Sequence, residues 1–507
     1  MPRTSSTEKT PLPLSSKLSF GAGAIGEAVY LGLFNTFITI FYNQAIGLSN
    51  TLIGVAIMLA MIGDAITDPL IGILSDRFRS PHGRRHPFLF VAPVPLAGAI
   101  YLIFNPPDAF AADPAASQMA LFAWLALWTI LSRALLTLYS VPHLALGGEM
   151  SKDQFQRSQL FSANTIFAYV AGASFSFVAW QVFFSGERVR LSDGATVPGQ
   201  LDPAAYGPLI FMACALVIFA IWLCAAGTYR HIAELSQAAD DVPRLTPASF
   251  LREIMSTLRN RNYIVMLLGY FFFMIASGIY DTLNVFINTF FWELTAEQIS
   301  YLGLTGAPAA LLGASLSPIL MKRFDSKPVM LGALAGTVLF AQLVVNLRLF
   351  DLLPANGDPW LLPCLIANAA GFTFTLGVGT VAIYSMIGDI IDDNEVTTGA
   401  RQEGLFYSAR AFFAKASYSF GHFFAGVMLD YFVRLPFEAV PGQLQEDVLF
   451  RLGLTAGPIM GLAALVSLAI YTRYRLTRAD HQRILKLLEE RKQPIPGEQP
   501  AHNSPHL

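Results

Sequence analysis

Apolar runs of about twenty residues recur from Leu18 to Tyr471, and they leave the chain few ways to fold. A bilayer core about 30 Å thick takes roughly 20 apolar residues of helix, and backbone in lipid must satisfy its own hydrogen bonds. The pattern therefore implies an all-α polytopic membrane protein. Composition agrees: 54% of the 507 residues are hydrophobic and 13% are charged, where a soluble chain carries about 25% charged residues.

Twelve such segments divide six and six. The expected organisation is a tail over 1–17, a first bundle over 18–229, a polar linker over 230–261, a second bundle over 262–471 and a tail over 472–507. The loop SDRFRSPHGRR after segment two has an echo in MKRFDSKP after segment eight. Two six-helix halves with an internal echo is the layout of the major facilitator fold, whose halves are structural repeats. With both termini on one side, that side holds 25 of the 33 Lys and Arg residues and the opposite loops hold 5. Basic loops stay cytoplasmic, so both termini are expected there, in a cell inner (plasma) membrane. The N-terminus MPRTSSTEKTPLPLSSK has no apolar core or cleavage site and is not expected to be a signal peptide. The stretch Arg478 to Lys492 reads as an amphipathic surface helix.

Net charge of −2 with no basic arm gives no reason to expect nucleic acid. Cys214, Cys224 and Cys364 lie in apolar segments without metal or disulfide spacing, and read as small buried hydrophobes. No segment shows HExxH, GxSxG or an inward His/Asp cluster, so an enzyme is not expected. A non-transporting sensor on a carrier fold is a third reading. No cofactor is called for, and a monomer in the lipid bilayer is the expected state.

Ionisable groups at membrane depth are costly and face bundle interiors or aqueous cavities. Segment two carries Asp64, Thr67 and Asp68; the two carboxylates, four apart, share one helix face. Oxygen ligands suit a hard cation such as sodium, and paired carboxylates also suit a proton. Lys415 lies about twelve residues into segment eleven, roughly 18 Å deep, and needs a partner at the depth of that acidic pair. Segment four presents Arg133, Thr137 and Ser140 on one face. Thr137 completes a cation shell in this reading. Arg133 either binds an anionic substrate group or balances Glu27 of segment one. Segment seven carries Asp281, Asn284 and Asn288, a face able to bind a polyhydroxyl substrate or to glue helices together. Two loops read as gates: Asp389, Asp393 and Glu395 after segment ten are expected to close against Arg77, Arg79 or Arg157 of the first half when the carrier opens outward.

Three stretches, GDAITDPLIGILSDRFRSPHGRRHP, YSVPHLALGGEMSKDQFQRSQL and YSMIGDIIDDNEVTTGARQEGLFYSARAFFAK, resemble the glycoside–pentoside–hexuronide:cation symporters, the melibiose-permease-like branch of the major facilitator superfamily. The resemblance runs over all twelve segments. It implies a coupling ion, Na+ or H+, carried with a small-molecule substrate. It implies that Asp64 and Asp68 are the cation-site carboxylates, with sodium on both. Thr67 stands at a cation-site Asn, Thr137 matches the cation-site Thr, and Lys415 matches the segment-eleven lysine. The sugar-contact positions depart: a segment-four Asp falls at Ser140, and a segment-five Arg near Asn164 or Thr165. A sugar or glycoside is the leading substrate expectation. An anionic or amphipathic one, a uronide or lysophospholipid, is the alternative, since lysophosphatidylcholine symporters share the branch.

Overall fold

The computed structural model describes residues 12–151, 153–190, 194–234, 257–258, 260–399 and 402–492. Most of the expected linker, and the extreme ends of both tails, lie outside the described residues. Among the described residues, eleven helices are long and apolar enough to cross a membrane: α1 Leu14–Ile46, α2 Asn50–Arg77, α3 His86–Phe110, α4 Gln118–Glu149, α5 Phe155–Phe183, α6 Pro203–Ile232, α7 Arg261–Phe291, α8 Ala296–Phe324, α9 Ser326–Leu349, α10 Leu361–Thr398 and α12 Glu446–Tyr471. The helix between the last two, α11 over 403–433, carries Glu403, Arg410, Lys415 and Asp430 and packs among them. These charges, not a shortage of length, set it apart. Twelve passes bring the chain back to the side on which it began. There α13, Arg478–Lys492, forms as the amphipathic pattern expects and buries Ile484 and Leu488.

Several helices change pitch. Single π turns interrupt or end α1 at Leu33–Phe37, α5 at Ala179–Phe183, α7 at Ile287–Phe291 and α11 at Met428–Val433. The first and seventh helices occupy matching places in the two halves, as do the fifth and eleventh; a further wide turn at Thr455–Ile459 of α12 has no counterpart in α6. Such turns displace side chains from the regular helical face.

Small residues let helices close. Gly278 of α7 meets Gly421 of α11, and a Cβ on either would strike the other helix's backbone. Gly426 of α11 lies against the Asn50 carbonyl of α2, which brings the two halves together. On this side, away from the tail, the halves are also tied by polar contacts. The Asp430 carboxylate accepts from the Asn50 and Thr51 backbone N–H groups at 3.1 and 2.7 Å and from the Ser49 hydroxyl at 2.6 Å, capping α2 across the interface. Gln44 donates to the Pro436 carbonyl and accepts from the Ala439 N–H. A hairpin between α5 and α6 pairs Glu187–Val189 with Thr196–Pro198. Just past it, Arg190 donates to the Glu438 carbonyl at 2.8 Å. Each donor here lies in one half and its acceptor in the other, so this side is closed.

On the tail side the loop after α2 is pinned within its own half. Arg85, 3% exposed, donates to Ser75 at 2.6 Å and to Glu149 at 2.8 Å and pairs with Asp76. Arg84 pairs with Glu149 at 2.8 Å. A buried guanidinium needs such partners, and the SDRFRSPHGRR loop with the end of α4 supplies them.

Candidate functional site

Asp64 and Asp68 do share a face of α2, turned inward between α4 and α11. Asp64 is 3% exposed. Its Oδ2 accepts from Arg133 Nε at 2.8 Å and pairs with Arg133 Nη2. Lys415 Nζ lies 3.4 Å from the same oxygen. Asp68 pairs with Lys415 and accepts from the Thr137 hydroxyl at 2.9 Å. Asp64, Asp68, Thr137 and Lys415 are thus brought together as the sequence implies. The other Asp64 oxygen, Oδ1, is buried with no donor, an acceptor position left open in an otherwise satisfied cluster.

Two expectations need correction. Arg133 ion-pairs with Asp64, not with Glu27, because α2 and α4 run side by side and place the two side chains at one level. Its guanidinium also lies over the Phe34 ring, 5.2 Å from the centroid, so it is spent on the cluster instead of facing a substrate anion. Thr67, one residue before Asp68, turns away, and its hydroxyl points 3.5 Å from the Asp64 backbone carbonyl. The gate expected on outward opening is not formed in this structure, where the acidic end of α10 faces the tail. Asp392 bonds His481 Nε2 at 2.8 Å, Asp389 lies 3.5 Å from His481 Nδ1, and Asp393 accepts from Asn260 at 2.9 Å. Arg77, Arg79 and Glu395 have partners of their own, and Arg157 is exposed.

Glu27 stands on the face of α1 that also carries Tyr30 and Phe34. Tyr30 shares a 2.8 Å hydrogen bond with Ser132 of α4, which fixes that face toward the cluster. Glu27 lies within the electrostatic reach of Arg133, Lys415 and Asp68. Ser140 and Asn164 are half-buried, and Asn164 Oδ1 has no donor.

Beside the cluster, between the halves, lies a cavity of about 420 Å³. The wide turn of α1 supplies Asn35 and Thr36, and α5 supplies Ser176 and Trp180. Asp281, Asn284 and Asn288 line it from α7, and Asn368 from α10. Asn288 donates to Asn284 at 3.0 Å. The Oδ1 atoms of Asn35 and Asn368 are buried without donors. Asp281 accepts from the Tyr418 hydroxyl of α11. Amide groups with spare hydrogen-bonding capacity, set among Trp180, Trp292, Tyr280 and Phe372, can bind hydroxyls edge-on and an apolar sugar face flat. Among the described residues that line it there is no Lys, Arg or His. The sequence reading missed Asn35, Asn368, Trp180 and Tyr418. Single polar residues in apolar runs, as in GLFNTFITIF, were the available signal.

Comparison with known proteins places the chain in a family. The family described as MFS/sugar transport protein matches residues 19–478. Relatives include the uncharacterized symporter sll1374 of Synechocystis, 24% identical over 97% of this chain and 99% of the relative. A putative sulfoquinovose importer of Salmonella typhimurium is 25% identical over 95% of this chain and 94% of its own. The putative glycoside/cation symporter YagG of Escherichia coli is 22% identical over 83% and 84%. Among solved structures, the nucleoside transporter NupG superposes with a TM-score of 0.57 at 13% identity, covering 91% of this chain and all of that one. The inward-open xylose transporter XylE of E. coli gives 0.55 at 13%, covering 94% and 98%. At that identity the structures speak for the major facilitator fold alone. The match across nearly the whole length carries the membership: this chain belongs to the MFS/sugar transport family.

Proposed function

We propose that the protein is a symporter, coupling the movement of a neutral polyhydroxyl substrate, a sugar or glycoside, to one monovalent cation, Na+ or H+. The observation that carries this reading is the charge balance of the buried cluster. Glu27, Asp64 and Asp68 against Arg133 and Lys415 leave a formal charge of −1. One bound cation neutralises it, and a neutral cluster crosses a low-dielectric barrier at far less cost than a charged one. Relatives named as symporters, one of them a glycoside/cation symporter, support the same class.

The substrate would sit in the amide-lined cavity while the halves rock about it. The basic-loop count argues for a cytoplasmic tail side in an inner membrane, so the closed side is external and the structure faces inward. The gate between Asp389, Asp393 or Glu395 and Arg77, Arg79 or Arg157 would form only on outward opening, once His481 lets go. An anionic sugar is the second reading, favoured by the sulfoquinovose importers among the relatives. Against it stand the engagement of Arg133 by Asp64 and a cavity wall whose charged member is Asp281. Binding of neutral monosaccharides, disaccharides, glucuronate and sulfoquinovose to the purified protein, by calorimetry, tests the reading. A neutral sugar is expected to bind, and Asn284→Ala or Asn368→Ala to weaken it about tenfold, the worth of one lost hydrogen bond near 1.4 kcal/mol. Binding confined to the acidic sugars would favour the second reading.

A further inference from the structure

We propose that Arg410 of α11 is the anion end of a second ligand site, within the second half, that takes a small aromatic carboxylate. Arg410 stands five residues before Lys415, about 7.5 Å nearer the tail side at 1.5 Å per residue. A charge at such depth is costly and ordinarily pairs. Arg133 and Lys415 have their aspartates. Arg410, among the described residues, has two phenols instead: Nη1 donates to Tyr270 of α7 and Nη2 to Tyr384 of α10, each at 2.9 Å. The guanidinium carbon also stands 5.3 and 4.7 Å from the centroids of those two rings. Its remaining donor, Nε, is buried with no acceptor. Neutral groups thus solvate the positive charge, no described carboxylate balances it, and one donor is left over.

Against this guanidinium lies a recess of about 170 Å³ between α7, α9, α10 and α11, which shares no lining residue with the amide-lined cavity. Its floor is closed and apolar: Met330, Leu334 and Ile383 are buried, and the Thr337 hydroxyl is spent on Ala333 and Thr375. Its mouth is at Tyr384, which is 45% exposed. A cavity of about 150 Å³ lined by aliphatic and Phe side chains takes one benzene ring. The volume therefore selects a single ring and excludes a long acyl chain or a fused bicycle. The thioethers of Met274 and Met330 in the wall favour an aromatic ring over an aliphatic one, because sulfur packs well against ring edges. A neutral ring would leave Nε unmet, whereas a carboxylate on the ring satisfies it and balances the charge. When Tyr384 swings out to water, Nη2 is freed beside Nε, and the two can donate parallel bonds to one carboxylate.

Saturation-transfer NMR and calorimetry on the purified protein test this, with benzoate, phenylacetate, benzamide, octanoate and 2-naphthoate as probes. Benzoate or phenylacetate is expected to bind, with benzamide about tenfold weaker or worse and octanoate and 2-naphthoate excluded. Arg410→Gln should weaken the bound acid about tenfold or more. Leu334→Phe, which fills the floor without touching the charge, should abolish binding, and Leu334→Ala should admit 2-naphthoate. Size-exclusion profiles show whether each variant is folded, and the probe series on the wild type decides the matter even if Arg410→Gln is not. Equal binding of benzoate and benzamide, binding that persists in Arg410→Gln or Leu334→Phe, or no binding of either small acid would overturn the proposal. Arg410 would then only hold α7, α10 and α11 together through its tyrosines.

Discussion

Lys415 and Tyr418 stand three residues apart on one face of α11, and each ends on a different carboxylate. Lys415 reaches across to Asp68 of α2 in the first half, while Tyr418 donates to Asp281 of α7 in the second. One turn of helix therefore joins the charge cluster to the cavity wall. A shift of α11 that loosens one contact is felt at the other, which is what coupling between ion and substrate requires.

Tyr418→Phe removes the donor to Asp281 and keeps the ring. A hydrogen bond to a charged group contributes about 1.5–3 kcal/mol, so sugar affinity is expected to fall about tenfold or more. Calorimetry on the variant and the wild type checks this; unchanged affinity would separate Tyr418 from the substrate site.

The Arg133–Asp64 pair is buried on both sides, at 7% and 3% exposure. Removing one partner strands a buried charge, at a cost of about 3–5 kcal/mol, whereas removing both is much milder. Arg133→Gln should lower the melting temperature in detergent sharply, and Asp64→Asn/Arg133→Gln should recover most of it. Equal loss in the single and double variants would mean that the pair is not the source of the effect.

Asp430 caps α2 from the opposite half, so losing it should weaken closure on that side more than it weakens the fold. A lost cap costs about 0.5–2 kcal/mol, enough to move a two-state equilibrium by roughly 2- to 30-fold. In Asp430→Ala, a cysteine placed at Asn35 is expected to react faster with an impermeant maleimide added from the side away from the tail. An unchanged rate would mean that the Gln44 and Arg190 contacts hold that side alone.

His481 binds Asp392 and faces Asp389, the carboxylates nearest the proposed inward gate. His481→Ala should free them, favour outward opening and raise maleimide labelling on the external side. Removing them in addition, with Asp389→Asn/Asp392→Asn, should cancel that gain.

The sequence made Asp64, Asp68, Thr137 and Lys415 legible because a charge or hydroxyl at depth in an apolar helix must find a partner, and helical spacing sets its face. Arg133 was legible as a charge but not in its choice of partner. Glu27 and Asp64 both lie within its reach in depth, and only the side-by-side run of α2 and α4 decides between them. The cavity was half legible. Asn284 and Asn288 share a spacing on α7, but Asn35 and Asn368 are single amides on helices more than three hundred residues apart, and the wide turn at Leu33–Phe37 that aims Asn35 inward breaks the periodicity a reader would use. The His481 contact joins an extramembrane helix to the end of α10, and no local pattern announces such a pairing.

Uptake into proteoliposomes tests the central claim most directly. Once a binding sugar is identified, the wild-type protein is expected to concentrate it above the external level under an inward cation gradient, protons and sodium being imposed separately. It should lose that accumulation when the gradient is collapsed, and Asp68→Asn should accumulate nothing. Uptake that only equilibrates, at a rate indifferent to either gradient, would contradict coupling and leave a simple facilitator.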